Sequence, residues 1–169
     1  MFKVNDVVVY GAQGVCKILD VEEKEFMGEK REYFVLRPVD NQKSTYFVPM
    51  NNENLLSKKR ELLSKEEIDE LIDSMPNQNA NWITNDSERK EKYKCIISDG
   101  NRVELIKIIK AIYFEKKRRE ENKKRLTSSD ERFLNDAEHV LHGEFQYVLG
   151  LDEAQLMEYI SERIEKRGA

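Results

Sequence analysis

The period of the hydrophobic pattern changes once along this chain, near residue 60, and that change limits the folds available to it. Before the change, short apolar runs alternate with turn residues. Val7-Val8-Val9-Tyr10 is followed by Gly11-Ala12-Gln13-Gly14, then by Val15-Cys16-Lys17-Ile18-Leu19. A charged stretch at 22–25 leads to a hairpin connection, Phe26-Met27-Gly28-Glu29. Tyr33-Phe34-Val35-Leu36 is closed by Pro38 and Asp40-Asn41, and a run over 44–48 is closed by Pro49. Short strands at roughly ten-residue spacing with glycine turns predict a small, strongly bent sheet or barrel.

From residue 64 the period is helical. Ser64-Lys65-Glu66-Glu67 reads as a capping box, and Ile68, Leu71, Ile72 and Met75 form an i, i+3, i+4, i+7 stripe that Pro76 ends. A polar loop, 77–81, delivers Trp82. Asp86 or Ser87 is placed to cap a second helix that ends at Asp99-Gly100. A third runs over about 102–124, with Val103, Ile106, Ile109, Ile112 and Tyr113 on one face and cations at its C-terminal end. Ser128 and Glu131 read as another capping box, opening a helix that Gly150 ends, and Asp152 starts a last one. The expectation is an α+β chain: a Tudor- or SH3-like barrel over 1–60, then an all-α part of about five helices over 61–169.

Charged residues make up 37% of the 169 residues, against about 25% in an ordinary globular domain. The apolar residues still fall in periodic groups, so the excess charge reads as solvated helix rather than disorder. No apolar run approaches the roughly 20 residues that span a bilayer. The N-terminus has no signal-peptide pattern. Two cysteines, Cys16 and Cys95, supply neither a disulfide framework nor a metal knuckle. These features predict a cytoplasmic protein with no membrane partner.

The net charge of −4 conceals a strong segregation. Residues 1–60 carry +1, 61–87 carry −6, 88–125 carry +7 and 126–169 carry −6. A local excess of that size admits a nucleic-acid partner despite a pI of 5.5, and a solvated, ion-paired helix is the plainer alternative.

Catalysis has little support. His139 and His142 share a helix face with no third ligand nearby, and no phosphate-cradling or nucleophile-elbow motif occurs. A non-enzyme without cofactor, metal or small-molecule substrate is expected. Trp82, the only tryptophan, lies among asparagines that cannot give it apolar surroundings. It either folds back as a core anchor or stands out as an aromatic wedge beside a basic helix.

The opening run Phe2 to Tyr10, then Gly14-Val15, Gly28, Tyr33 to Leu36 and Val48-Pro49, resembles the first domain of the bacterial CarD family, which also occurs in transcription-repair coupling factor. Asn81-Trp82, Ser98-Asp99-Gly100 and the segment from Leu126 to Leu134 resemble that family's helical domain. The resemblance spans nearly the whole chain.

It implies a transcription regulator whose N-terminal domain docks on the RNA polymerase β subunit. The helical domain then contacts promoter DNA without reading its sequence. Trp82 would wedge into the minor groove at the upstream edge of the bubble and so stabilise the open complex. The family's arginines after the tryptophan are replaced by Ile83-Thr84-Asn85-Asp86, so phosphate contacts fall to Arg89, Lys90 and Lys94, with Arg132 retained further on. On the polymerase side the corresponding positions are Lys24, Tyr46 and Phe47. The competing readings are a protein–protein adaptor and an RNA- or ribosome-associated binding protein.

Overall fold

The computed structural model describes residues 2–50 and 59–168. Five antiparallel strands come first: β1 (Val7–Tyr10), β2 (Gly14–Phe26), β3 (Glu29–Pro38), β4 (Tyr46–Pro49) and β5 (Lys59–Glu61). Five helices follow: α1 (Lys65–Ser74), α2 (Asp86–Asp99), α3 (Arg102–Glu121), α4 (Ser128–Leu149) and α5 (Glu153–Gly168). The fold is α+β, as the change of period implies.

The sheet order is β4-β3-β2-β1-β5. Strict alternation divides its residues between two cores. Val8 lies opposite Cys16 and Ile18 opposite Leu36, and with Phe34 and Val48 they form the sheet's own cluster. Val9 lies opposite Val15 on the other face, and this pair joins the helical core. A β-bulge between Ile18 and Asp20 adds the bend that a small sheet needs to wrap its interior.

Two features of the sheet differ from the sequence expectation. Strands β2 and β3 run well past the apolar runs that mark them, pairing out to Phe26 and Glu29. Met27 and Gly28, at φ 52° and 79°, form the turn, and Met27 stands 90% exposed at its tip. The fifth strand was not foreseen. It lies in the connecting segment 51–63, whose first part, 51–58, is outside the described residues, and it pairs with β1 from Val8 to Tyr10.

Helix starts are set by side chains that accept from otherwise unpaired backbone N–H groups. Ser64 forms the expected reciprocal box with Glu67. At α2 the cap is Asn85, accepting from the Glu88 N–H, rather than Asp86 or Ser87. At α4 it is Thr127, accepting from the Asp130 N–H, one residue before the expected Ser128. In both cases several residues able to cap sit side by side, and the one in extended backbone just before the first helical turn takes the bond. On α3 the expected Ile106, Ile109 and Ile112 do meet the core, joined by Leu105 and Ile108, but Tyr113 is exposed beside Phe114, with ring centroids 6.1 Å apart.

Ion pairs fasten the helices. Arg163 on α5 bonds Asp73 on α1 at 2.8 and 3.0 Å, and the Tyr159 hydroxyl donates to Asp69. The sheet is tied on by Glu144 of α4, which accepts the Leu63 N–H at 2.9 Å and two bonds from Arg102.

Candidate functional site

The loop that carries Trp82 is held from below. Lys110 on α3 donates to the carbonyls of Met75, Pro76 and Gln78 at 3.0, 3.2 and 3.0 Å, fixing the path of the chain where α1 ends. Four residues after Gln78, Trp82 packs, half-buried, against the helical core. Two guanidinium groups lie over its ring, that of Arg89 at 4.4 Å and that of Arg119 at 5.8 Å from the centroid. The indole is therefore neither a free-standing wedge nor a core residue.

Arg89 corrects the sequence reading. It is 1% exposed, and its guanidinium bonds both oxygens of Asp130 at 2.9 and 3.1 Å, Asp86 at 2.6 Å and the Ile83 carbonyl at 2.9 Å. Burial alone would lower its pKa, but the Asp130 and Asp86 carboxylates outweigh it and hold the group firmly protonated. Asp86 is in turn held below the usual carboxylate range by its bond to Arg89. A guanidinium this enclosed is withdrawn from the residues that can reach a phosphate. Lys90 and Lys94, four apart, share an exposed face of α2, and Arg132 is exposed in the first turns of α4.

The structure places further cations near Trp82, those at the C-terminal end of α3. Arg118, Arg119, Asn122, Lys124 and Arg125 line one surface cavity at the end of α3, and Arg119 connects that cavity to Trp82. Glu115, buried on the same helix, organises it: its carboxylate accepts from Arg118 at 2.6 and 3.1 Å and from Arg119 at 2.9 Å. The Arg118 bond is the main reason that carboxyl lies below its usual range. The signal was present in the +7 segment and in the cations at the C-terminal end of this helix, of which none was placed among the expected DNA contacts.

On the sheet, β4 is an edge strand, with one side of its backbone unpaired by any described strand. Phe47 projects from it 42% exposed, and the Lys24 ammonium sits 3.4 Å from its ring centroid, so two of the expected polymerase-contacting residues form one surface unit. Tyr46 alternates to the opposite face and packs against the sheet's own core.

Other reactive groups do not converge. His139 lies 3.4 Å from both Asp40 Oδ2 and the Gln13 carbonyl, fastening α4 to the sheet. Burial lowers His142 to about 4 and raises the Cys16 thiol to about 12. Among the described residues no group of three or more His, Cys, Asp or Glu side chains is arranged to hold a metal ion, and no helix is long and apolar enough to cross a membrane.

The sheet presents Phe47 on a strand that is an edge among the described residues, and residues 2–59 match the family described as the CarD-like/TRCF RID domain. The resemblance to the CarD family is thus upheld over the N-terminal part, and it gives the chain a transcription-related, RNA polymerase-interacting character. A second similarity spans sheet and helices together. The chain is 25% identical, over 172 residues, to the protein named "Putative transcription factor YdeB" of Bacillus subtilis (strain 168), covering 94% of this chain and 99% of that one.

Proposed function

We propose that this chain is a transcription regulator that docks on the RNA polymerase β subunit through β4, using Phe47 and Lys24. The helical part then holds Trp82 and the cations at the end of α3 against promoter DNA. The observation that carries this reading is the adjacency of Trp82 to the Arg118–Arg125 cavity through Arg119. An aromatic ring beside clustered cations is the pairing that stacks on a base while neutralising backbone phosphates. Arg118, Lys124 and Arg125 take the place that Arg89 cannot fill, and Lys90, Lys94 and Arg132 extend the basic surface.

The mechanism is a population shift. A factor that binds only the open bubble stabilises it by its differential affinity, and a coupling of about 1–3 kcal/mol changes occupancy about 5- to 150-fold. One stacked aromatic supplies about that amount. Tethering through the sheet raises the local concentration of the helical part, so an acidic protein needs little intrinsic DNA affinity.

The test is the lifetime of promoter open complexes formed by the cognate polymerase under competitor challenge. Wild type lengthens it, Trp82→Ala loses most of the effect, and Lys124→Glu with Arg125→Glu loses part of it. Equal lifetimes with and without the protein on several promoters would sink the reading. The half-burial of Trp82 favours the protein–protein adaptor as the second reading, under which β-subunit capture persists while open-complex lifetime does not respond.

A further inference from the structure

We infer that Arg89 is a positioning residue for Trp82, acting as a fixed cationic plate against which the indole is set before any DNA arrives. The inference rests on the reading of Trp82 as the DNA-contacting side chain.

The loop leading to Trp82, Asn77-Gln78-Asn79-Ala80-Asn81, contains almost nothing apolar with which to orient a tryptophan. Arg89 supplies the orientation from outside the loop. Its Nη1 donates to the carbonyl of Ile83, the residue after Trp82, at 2.9 Å, and so fixes the backbone. Its Cζ lies 4.4 Å from the ring centroid and so fixes the side chain. The guanidinium cannot rotate away, because Nε and Nη2 bond the two oxygens of Asp130 in a fork and Nη2 also bonds Asp86. Asp130 is held in turn by the Thr127 hydroxyl at 2.8 Å, the residue that caps α4. A chain of polar contacts therefore runs from the start of α4, through a buried ion pair, to the indole.

The chemistry of arginine is what this task requires. Its planar, forked donor set engages a carboxylate, a carbonyl and an aromatic face together, which a lysine ammonium cannot do. Buried ion pairs give little net stability compared with apolar substitutes, so this one is better explained by the geometry it imposes. A ring already ordered in the free protein does not have to be immobilised on binding, and that raises affinity for the bubble.

Trp82 is the only tryptophan, so indole fluorescence reads this site alone. Three variants separate positioning from folding. Arg89→Lys keeps the charge but loses the fork. Arg89→Met with Asp130→Leu replaces the buried pair by apolar groups, a change that usually preserves stability. Asp86→Ala removes only an exposed partner and keeps the buried pair. With helical circular dichroism unchanged, acrylamide quenching of Trp82 is expected to rise and its anisotropy to fall in all three, least in Asp86→Ala. Open-complex lifetime should shorten about 2- to 10-fold in the first two, the range that ordering one side chain is worth.

Unchanged quenching and anisotropy in the folded variants would overturn the inference. So would a mobile Trp82 with an undiminished lifetime, provided that Trp82→Ala shortens it. If Trp82→Ala itself leaves the lifetime unchanged, the wedge reading fails instead, and the fluorescence arm still decides whether Arg89 orders the ring.

Discussion

Arg102 and Glu144 meet at the junction of sheet and helices, with Nε to Oε1 at 2.7 Å and Nη2 to Oε2 at 2.8 Å. Each also holds the chain between β5 and α1: Arg102 bonds the Glu61 carbonyl at 2.9 Å, and Glu144 accepts the Leu63 N–H. One pair therefore ties the last strand to the first turn of α3 and to the C-terminal third of α4. Removing Glu144 leaves a guanidinium and a backbone N–H without their acceptor. Glu144→Ala should lose about 3–5 kcal/mol of stability. Urea denaturation would show it as a lower midpoint, and a shift below 1 kcal/mol would mean that water replaces the carboxylate.

Gly14 sits at φ 76° and ψ −146°, backbone that side-chain-bearing residues avoid, and a Cβ there would lie 3.3 Å from His139 Nε2. Gly14→Ala should destabilise by about 1–3 kcal/mol. Adding His139→Ala relieves the contact but not the backbone strain, so the double variant should recover little. Full recovery in a thermal melt would place the cost in the contact instead.

The His142 imidazole is held near 4 by burial, against 6.5 in the unfolded chain. The unfolded state therefore binds the proton first as pH falls. The stability associated with neutral His142 is present above pH 6.5 and lost progressively towards pH 4, an effect of about 3 kcal/mol in all. His142→Gln should flatten that limb in denaturation curves taken from pH 7 to pH 4. An unaltered slope would assign the acid limb to carboxylates.

Phe47 is the exposed aromatic on the free edge of the sheet. Phe47→Ser should cost only modest stability, because the side chain is 42% exposed and lies outside the sheet's buried cluster. Binding to the isolated polymerase β subunit should weaken by about 30-fold or more, as for a central interface aromatic. Retained binding by surface plasmon resonance would move the docking site off β4.

Lys124 and Arg125 are exposed in the turn after α3. Replacing both by Ala should reduce the salt dependence of DNA binding by about two phosphate contacts, uniformly across sequences. A sequence-dependent loss would mean base readout, which nothing in the geometry suggests.

The legible features in the sequence were those set by local rules. The Ile68–Met75 stripe, the Ser64 box, the glycine ends at Gly100 and Gly150 and the Met27-Gly28 turn each follow from a few neighbouring residues. Long-range features were not. Nothing near Arg89 announces Asp130, 41 positions away, so a buried structural arginine looked like a free one. The strand extensions carry Glu22 to Glu25 and Glu29 to Glu32, exposed around a backbone ladder that leaves no hydrophobic trace. Lys59-Arg60-Glu61 is a strand only because β1 offers an unpaired side.

That last pairing changes where the chain can be divided. The matched family region ends at Lys59, the first residue of β5, yet β1 still needs Lys59, Arg60 and Glu61 along its outer side. A fragment cut before Lys59 would bare a hydrogen-bonding edge at Val8–Tyr10, next to the valines that the helices normally cover. Such a piece should self-associate by strand exchange at Val8–Tyr10, and one carried through Glu61, which keeps that side paired, should do so less at equal concentration. Recombining this module with other partners therefore depends on a tripeptide of which only Lys59 falls inside the matched region.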